Sequence, residues 1–247
     1  MEQDSDILYK IEVHDADGLR ESFRNGLDPN GVINGEALFL TMINMYMRSP
    51  RFKECISAFV ENGLEFSDKL LISLLQDKAE DFEKFLDENP EKINQTYDFD
   101  CTFCPLYGAS LLHICAEYNL IACAKALIAK GFDINTKAGI DENGFGRQTP
   151  IFHTVNQNLN QSKEMFELLM KHNVDLEITI PGLIWGKGYE LETFVPSVNP
   201  ISFALMGLLP QFHRKDSDIY WMISVMMKKR YEIDYLVNNI PNKYLQS

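Results

Sequence analysis

No stretch of this 247-residue chain approaches the roughly 18 uninterrupted apolar residues that a membrane-crossing helix needs. The opening residues, Met1-Glu2-Gln3-Asp4-Ser5-Asp6, lack the basic start and following apolar stretch of a secretory leader. The expectation is therefore a cytoplasmic protein. Positive charge is scarce, with 23 Lys and Arg against 36 Asp and Glu, a net charge of −13. That balance argues against nucleic acid, whose phosphates attract basic residues, and against an anionic membrane surface. It suits solubility and an encounter with a basic protein. Cysteine is sparse and odd in number: Cys55, Cys101, Cys104, Cys115 and Cys123. Their spacing is no disulfide framework, and the simplest role for them is small apolar packing.

Catalytic motifs are lacking too. Gly144-Phe145-Gly146 and Gly186-Lys187-Gly188 have neither the strand before nor the helix after that a phosphate-binding loop requires. No G-x-S-x-G is present for a hydrolase nucleophile. His14, His153, His172 and His213 fall at no ligand spacing. Cys101 and Cys104 form one C-x-x-C, followed by His113 and Cys115, and from these a zinc site can be drawn. A lone C-x-x-C is a weak signal, and Cys115 lies on an apolar helical stripe.

What the sequence does hold is repetition. An apolar helical run ends in Gly or Asn, then an apolar residue, then an acid. It reads Asn25-Gly26-Leu27-Asp28, Asn62-Gly63-Leu64-Glu65, Lys130-Gly131-Phe132-Asp133 and His172-Asn173-Val174-Asp175. A helix that stops and turns back needs a residue at positive φ, which Gly or Asn supplies at low cost. Gly26, Gly63 and Gly131 are separated by 37 and 68 residues, a period near 34, with a degenerate copy at Phe85–Pro90. Asn173 follows Gly131 by 42, which implies an insertion. Within one period two stripes are legible: Leu111, Leu112, Cys115, Ala116, then Cys123, Ala124, Leu127, Ile128. Glu117-Tyr118-Asn119-Leu120 reads as the loop between them. Met165, Phe166, Leu168 and Leu169 repeat the second stripe, and Ile219, Met222, Ile223, Met226 and Met227 make a longer one, with Asp216 or Ser217 placed to cap it.

The segment Gly108-Ala109-Ser110-Leu111-Leu112-His113-Ile114-Cys115-Ala116 resembles the opening of an ankyrin repeat, G-x-T-P-L-H-x-A-A. Thr149-Pro150-Ile151-Phe152, Asn199-Pro200-Ile201-Ser202 and, faintly, Gly35-Glu36-Ala37-Leu38-Phe39 look like further copies. The endings above resemble the family's G-A-D-x-N. The resemblance spans about residues 5–235 and is strongest over 108–177. It implies an all-α, ankyrin-type helical solenoid of about six degenerate repeats, forming one domain over 1–247. Modified caps are expected at 1–35 and 200–247, with Arg230 standing where a glycine is expected. Insertions fall at 95–107 and 178–199, the second readable as an extended β-hairpin. Thr149 can cap its helix, Pro150 fits the first turn, and the family's use of the motif histidine makes His113 structural.

The resemblance also implies a function: recognition of another protein on a concave face of loop tips and first helices. The expected partner-binding residues are exposed aromatic and charged ones, which dominate interface energetics. In the first insertion these are Tyr97, Asp98, Phe99 and Asp100. The next connection supplies Asp141, Glu142, Phe145 and Arg147, and the long insertion Trp185, Lys187, Tyr189 and Glu190. The first-helix surface adds Glu117, Tyr118, Asn156 and Asn158. A monomer with no cofactor is expected. The competing expectation is an enzyme or metal-binding protein on the same scaffold, with its site near Cys101 and Cys104 or in the 178–199 insertion.

Overall fold

The structure, a computed structural model, describes residues 2–101, 103, 105–206 and 214–237. Helices come in consecutive pairs whose members pack on each other. The first pair is α1 (Glu2–Glu12) and α2 (Ala16–Arg24). A minimal hairpin, β1 (Val32–Ile33) with β2 (Glu36–Ala37), leads into α3 (Leu38–Asn44) and α4 (Phe52–Glu61). Next come α5 (Lys69–Leu75) and α6 (Ala79–Glu88). A second hairpin, β3 (Thr96–Phe99) with β4 (Leu106–Ser110), precedes α7 (Leu111–Tyr118) and α8 (Ile121–Ala129). The 3₁₀ turn Pro150–Thr154 stands in the first-helix position before α9 (Lys163–Met170). A third hairpin, β5 (Ile180–Trp185) with β6 (Thr193–Val198), feeds α10 (Pro200–Leu205) and α11 (Asp216–Tyr231). Members of each pair touch, and each pair packs on the next through its apolar stripe.

The reasons are local. Gly26, Gly63 and Gly131 all adopt positive φ, at 101°, 95° and 81°, and end α2, α4 and α8 as their sequence position demands. Asn173 does not, so the fourth copy turns without a left-handed residue; at the last, Glu232 at φ 60° takes the place of the missing glycine. Asp15 and Asp68 accept from the backbone N–H of Gly18 and Leu71, capping α2 and α5. Asn199 and Ser202 form a reciprocal capping box at α10, with Pro200 at its first position. Two expected caps are not made. The helix after Thr149 is a 3₁₀ turn in which the Thr149 hydroxyl makes no capping bond, and α11 begins at Asp216, so Asp216 and Ser217 lie inside its first turn.

The core is one continuous apolar cluster from Ile7 to Val237 that includes every residue of the α7 stripe, with Leu127 of α8 fully buried. All-α is a correct description of the pairs and an incorrect one of the chain, because three two-stranded antiparallel hairpins join them. The 178–199 insertion is an extended hairpin, paired from Ile180 with Val198 to Trp185 with Thr193. The 95–107 insertion, for which no strand is expected, also forms a hairpin, bulged between Tyr97 and Phe99.

Candidate functional site

Three fingers carry the loop residues of interest: β3–β4, the connection 138–148, and β5–β6. Main-chain bonds tie them into one layer. Gly139 N–H donates to Tyr107 O at 2.7 Å, and Gly146 N–H donates to Gly182 O at 3.2 Å. The approach is close enough to require glycine. A Cβ on Gly146, whose φ is 134°, would lie 2.4 Å from Gly139 O, and one on Gly108 would lie 2.9 Å from the Gly139 backbone. The Asp141 carboxylate accepts from the N–H of Asn143 and Phe145 at 2.8 and 2.9 Å, fixing the tip of the middle finger.

Side chains continue the layer. Lys187 of the third finger pairs with Glu142 of the second at 3.4 Å and sits 5.8 Å from the Tyr107 ring of the first. The Tyr107 hydroxyl donates to Asp100 at 3.2 Å, while Asp98 accepts from Gly108 N–H. Phe145 packs on Phe194 at 4.7 Å. Burial first, and Asp100 second, raise the Tyr107 hydroxyl above its ordinary value, while Tyr107 and Glu142 raise the Lys187 ammonium. Asp98, Asp100, Glu142, Arg147, Lys187, Tyr189 and Glu190 are exposed. The structure thus brings together residues the sequence could only name finger by finger.

Other expected surface residues lie elsewhere. Trp185 is buried beneath Phe103, ring centroids 4.7 Å apart, in an aromatic cluster with Tyr46 and Tyr189. Phe99 is buried, and Tyr97 is half-buried with its hydroxyl donating to Asp68 at 2.8 Å. Asn156 accepts from Arg214 at 3.0 Å, and Asn158 donates to the Met47 sulfur at 3.4 Å. Glu117 and Tyr118 depart furthest from expectation. They form the last turn of α7, which ends at Asn119 in the left-handed region, φ 57°. Both are buried. The reading of Phe99, Glu117, Tyr118 and Trp185 as exposed is therefore corrected.

Glu117 instead centres a buried polar network. Its carboxylate accepts from Arg48 Nε at 2.7 Å and from His153 Nδ1 at 3.0 Å. Burial alone would raise this carboxyl, but Arg48 and His153 outweigh it and leave it at about 2. The Arg48 guanidinium also donates to Met45 O and Met47 O and lies 4.6 Å from the Tyr118 ring centre. Tyr118 donates to Ile43 O at 2.8 Å, stacks on Phe52 at 4.3 Å, and meets Cys101 Sγ at 3.2 Å. None of this was readable from periodicity, because Arg48 belongs to an irregular turn.

The histidine in the repeat opening is held at both nitrogens. His113 Nδ1 accepts from Ser110 N–H at 3.2 Å and lies 2.8 Å from the Ser110 hydroxyl; Nε2 donates to Gln148 O at 2.9 Å. Burial first, and His153 second, lower its pKa to about 3. The zinc constellation therefore does not assemble among the described residues: His113 is engaged twice, Cys101 faces Tyr118, and no group of three His, Cys, Asp or Glu residues could hold a metal. Cys104 lies outside the described residues. The thiols of Cys55, Cys115 and Cys123 are buried and raised by that burial, Cys55 to about 12.

Sequence reasoning missed one recurrent device. Asn30 donates to Gly63 O at 3.0 Å and accepts from Glu65 N–H at 2.7 Å. Asn135 donates to Asn173 O at 3.0 Å and accepts from Asp175 N–H at 2.8 Å. Each asparagine joins one helix ending to the next with the same two bonds. The shared Asp-x-Asn of Asp28-Pro29-Asn30 and Asp133-Ile134-Asn135 is the signal that could have found them.

Two comparisons complete the picture. No curated protein matches the chain significantly. Residues 107–136, which comprise most of β4, α7, α8 and the Asn135 turn, match the family model of the ankyrin repeat. The match takes in His113 and Asn135 themselves, and it shows that the chain carries an ankyrin repeat over those residues.

Proposed function

We propose that the chain is a non-enzymatic recognition module, a solenoid of six degenerate ankyrin repeats that binds a basic protein through its finger layer. Ankyrin repeats in general mediate protein–protein interaction, and one such repeat is present. The observation carrying the finer reading is the chain of contacts from Asp100 through Tyr107 and Lys187 to Glu142, which makes one surface of three fingers. That surface is rich in carboxylates and shows half of Tyr189 and half of Phe194 to solvent. Aromatics in an acidic setting match the composition of a patch that anchors a basic partner. No helix among the described residues is long and apolar enough to cross a membrane, and the reading includes a monomer in the cytoplasm.

The test is affinity capture from native lysate with the full chain and with a Tyr189→Ser, Glu142→Lys double variant. The expected outcome is a basic protein retained by the first and lost by the second, at equal melting temperature. Retention by both would sink the finger layer as the binding surface.

A further inference from the structure

The second helices of the pairs do not stack evenly. α2 packs on α4, and α6 packs on α8. Between α4 and α6 the surface instead opens into a groove of about 340 Å³. Val60, Leu64, Phe66, Ile72 and Phe85 line it, all five half-buried, and Lys69 at the start of α5 lines it as well. Apolar surface that neighbouring pairs cover is here left partly in water, which is unfavourable unless something covers it.

The helix α6 presents a regular edge to this groove. Asp81, Lys84, Phe85 and Glu88 line it at i, i+3, i+4 and i+7, a single stripe, while Phe82 and Leu86 face the core. Asp81 and Glu88 are thus two turns apart, about 10 Å along the axis. Neither makes an ion pair among the described residues, and neither does Lys84. The rest of α6 adds Glu80, Glu83 and Asp87, of which Asp87 pairs with Lys130 at 2.5 Å.

From this we infer that the groove between α4 and α6 is a docking site for an amphipathic helix of a basic partner. That helix lays an apolar stripe on Phe66, Ile72 and Phe85 and sets two Lys or Arg residues, seven apart, against Asp81 and Glu88. A carboxylate between them meets Lys84. Two helical walls suit a third helix, whose ridges seat between theirs at ordinary interhelical spacing. The charge order along α6 fixes its register. The inference rests on the reading of the chain as a recognition module but uses none of the finger residues.

The experiment uses the full chain and a fluorescent synthetic helix of about 18 residues. It carries a leucine stripe, two lysines seven apart and one glutamate between them; a control peptide reverses the three charges. Anisotropy is expected to show saturable binding of the first peptide and at least tenfold weaker binding of the control, roughly the effect of two like-charge contacts. D81K/E88K should invert that preference without altering the melting temperature. Hydrogen exchange should show peptide protection at residues 60–66 and 81–88. No saturable binding, or equal binding by D81K/E88K, overturns the proposal. Protection confined to 95–107 and 178–199 also overturns it and leaves the finger reading standing. A dimer in sedimentation that Phe85→Gln dissolves would make the occupant a second copy of the chain and overturn it as well.

Discussion

Arg48 and Glu117, 69 positions apart in sequence, form a 2.7 Å ion pair in the protein interior. The pair joins the turn after α3 to the end of α7. Removing one partner leaves an uncompensated buried charge. Arg48→Met is expected to destabilise the fold by about 3–5 kcal/mol, and Arg48→Met with Glu117→Gln by clearly less. Denaturant unfolding followed by tryptophan fluorescence measures both; a double variant as unstable as the single would refute the pairing.

Stability should fall in mild acid. Burial first, with Arg48 adding, lowers the His14 pKa to about 4, and His113 is lowered to about 3. Both are neutral in the fold at pH 6, whereas the unfolded chain protonates near 6.5. The unfolded state therefore binds more protons, and stability is complete above 6.5 and lost as pH falls towards 4 and then 3. Glu117, held at about 2, contributes a loss that starts only below its ordinary value of 4.5. At about 1.4 kcal/mol per pH unit, His14 is worth at most about 3 kcal/mol and His113 at most about 5. In a melting series from pH 7.5 to 4, His14→Gln should flatten the upper part of the decline; an unchanged slope would disprove its role.

Asn135→Ala removes two hydrogen bonds that join consecutive helix endings. The expected cost is about 1–2 kcal/mol, with Asn135→Asp recovering part of it by accepting from Asp175 N–H. Equilibrium unfolding reads this directly, and a cost near zero would make the bonds incidental.

Trp185→Ala would be a clean binding variant if Trp185 stood on the surface. It is buried against Phe103, so the change is expected to cost about 3 kcal/mol of stability. Tyr189, exposed at the same fingertip, is the variant that should spare the melting temperature. Calorimetry of the two side by side checks the contrast.

The helical pairing was legible where a stripe and a stop signal coincided. Leu111 to Ala116, then Cys123 to Ile128 with Gly131 behind them, place the ends of α7 and α8 to within two residues. The β5–β6 hairpin could be read from its β-branched residues and glycines. The β3–β4 hairpin could not, because Tyr97 and Asp98 are fixed by Asp68 and Gly108 rather than by alternation along the strand. Glu117 and Tyr118 looked like a polar loop because their partners, Arg48 and Ile43, come from a distant turn. Polarity predicts exposure only when no buried partner awaits, and partners that far along the chain leave no local mark.

The tie from Arg48 and Ile43 to the end of α7 also sets how the chain would carry load. Tension applied at the two ends would load that clasp together with the apolar core around it. The 69 positions it spans hold roughly 240 Å of contour. While the pair holds, that length stays gathered between two fixed points, and its parting is the first step before any of it can be drawn out.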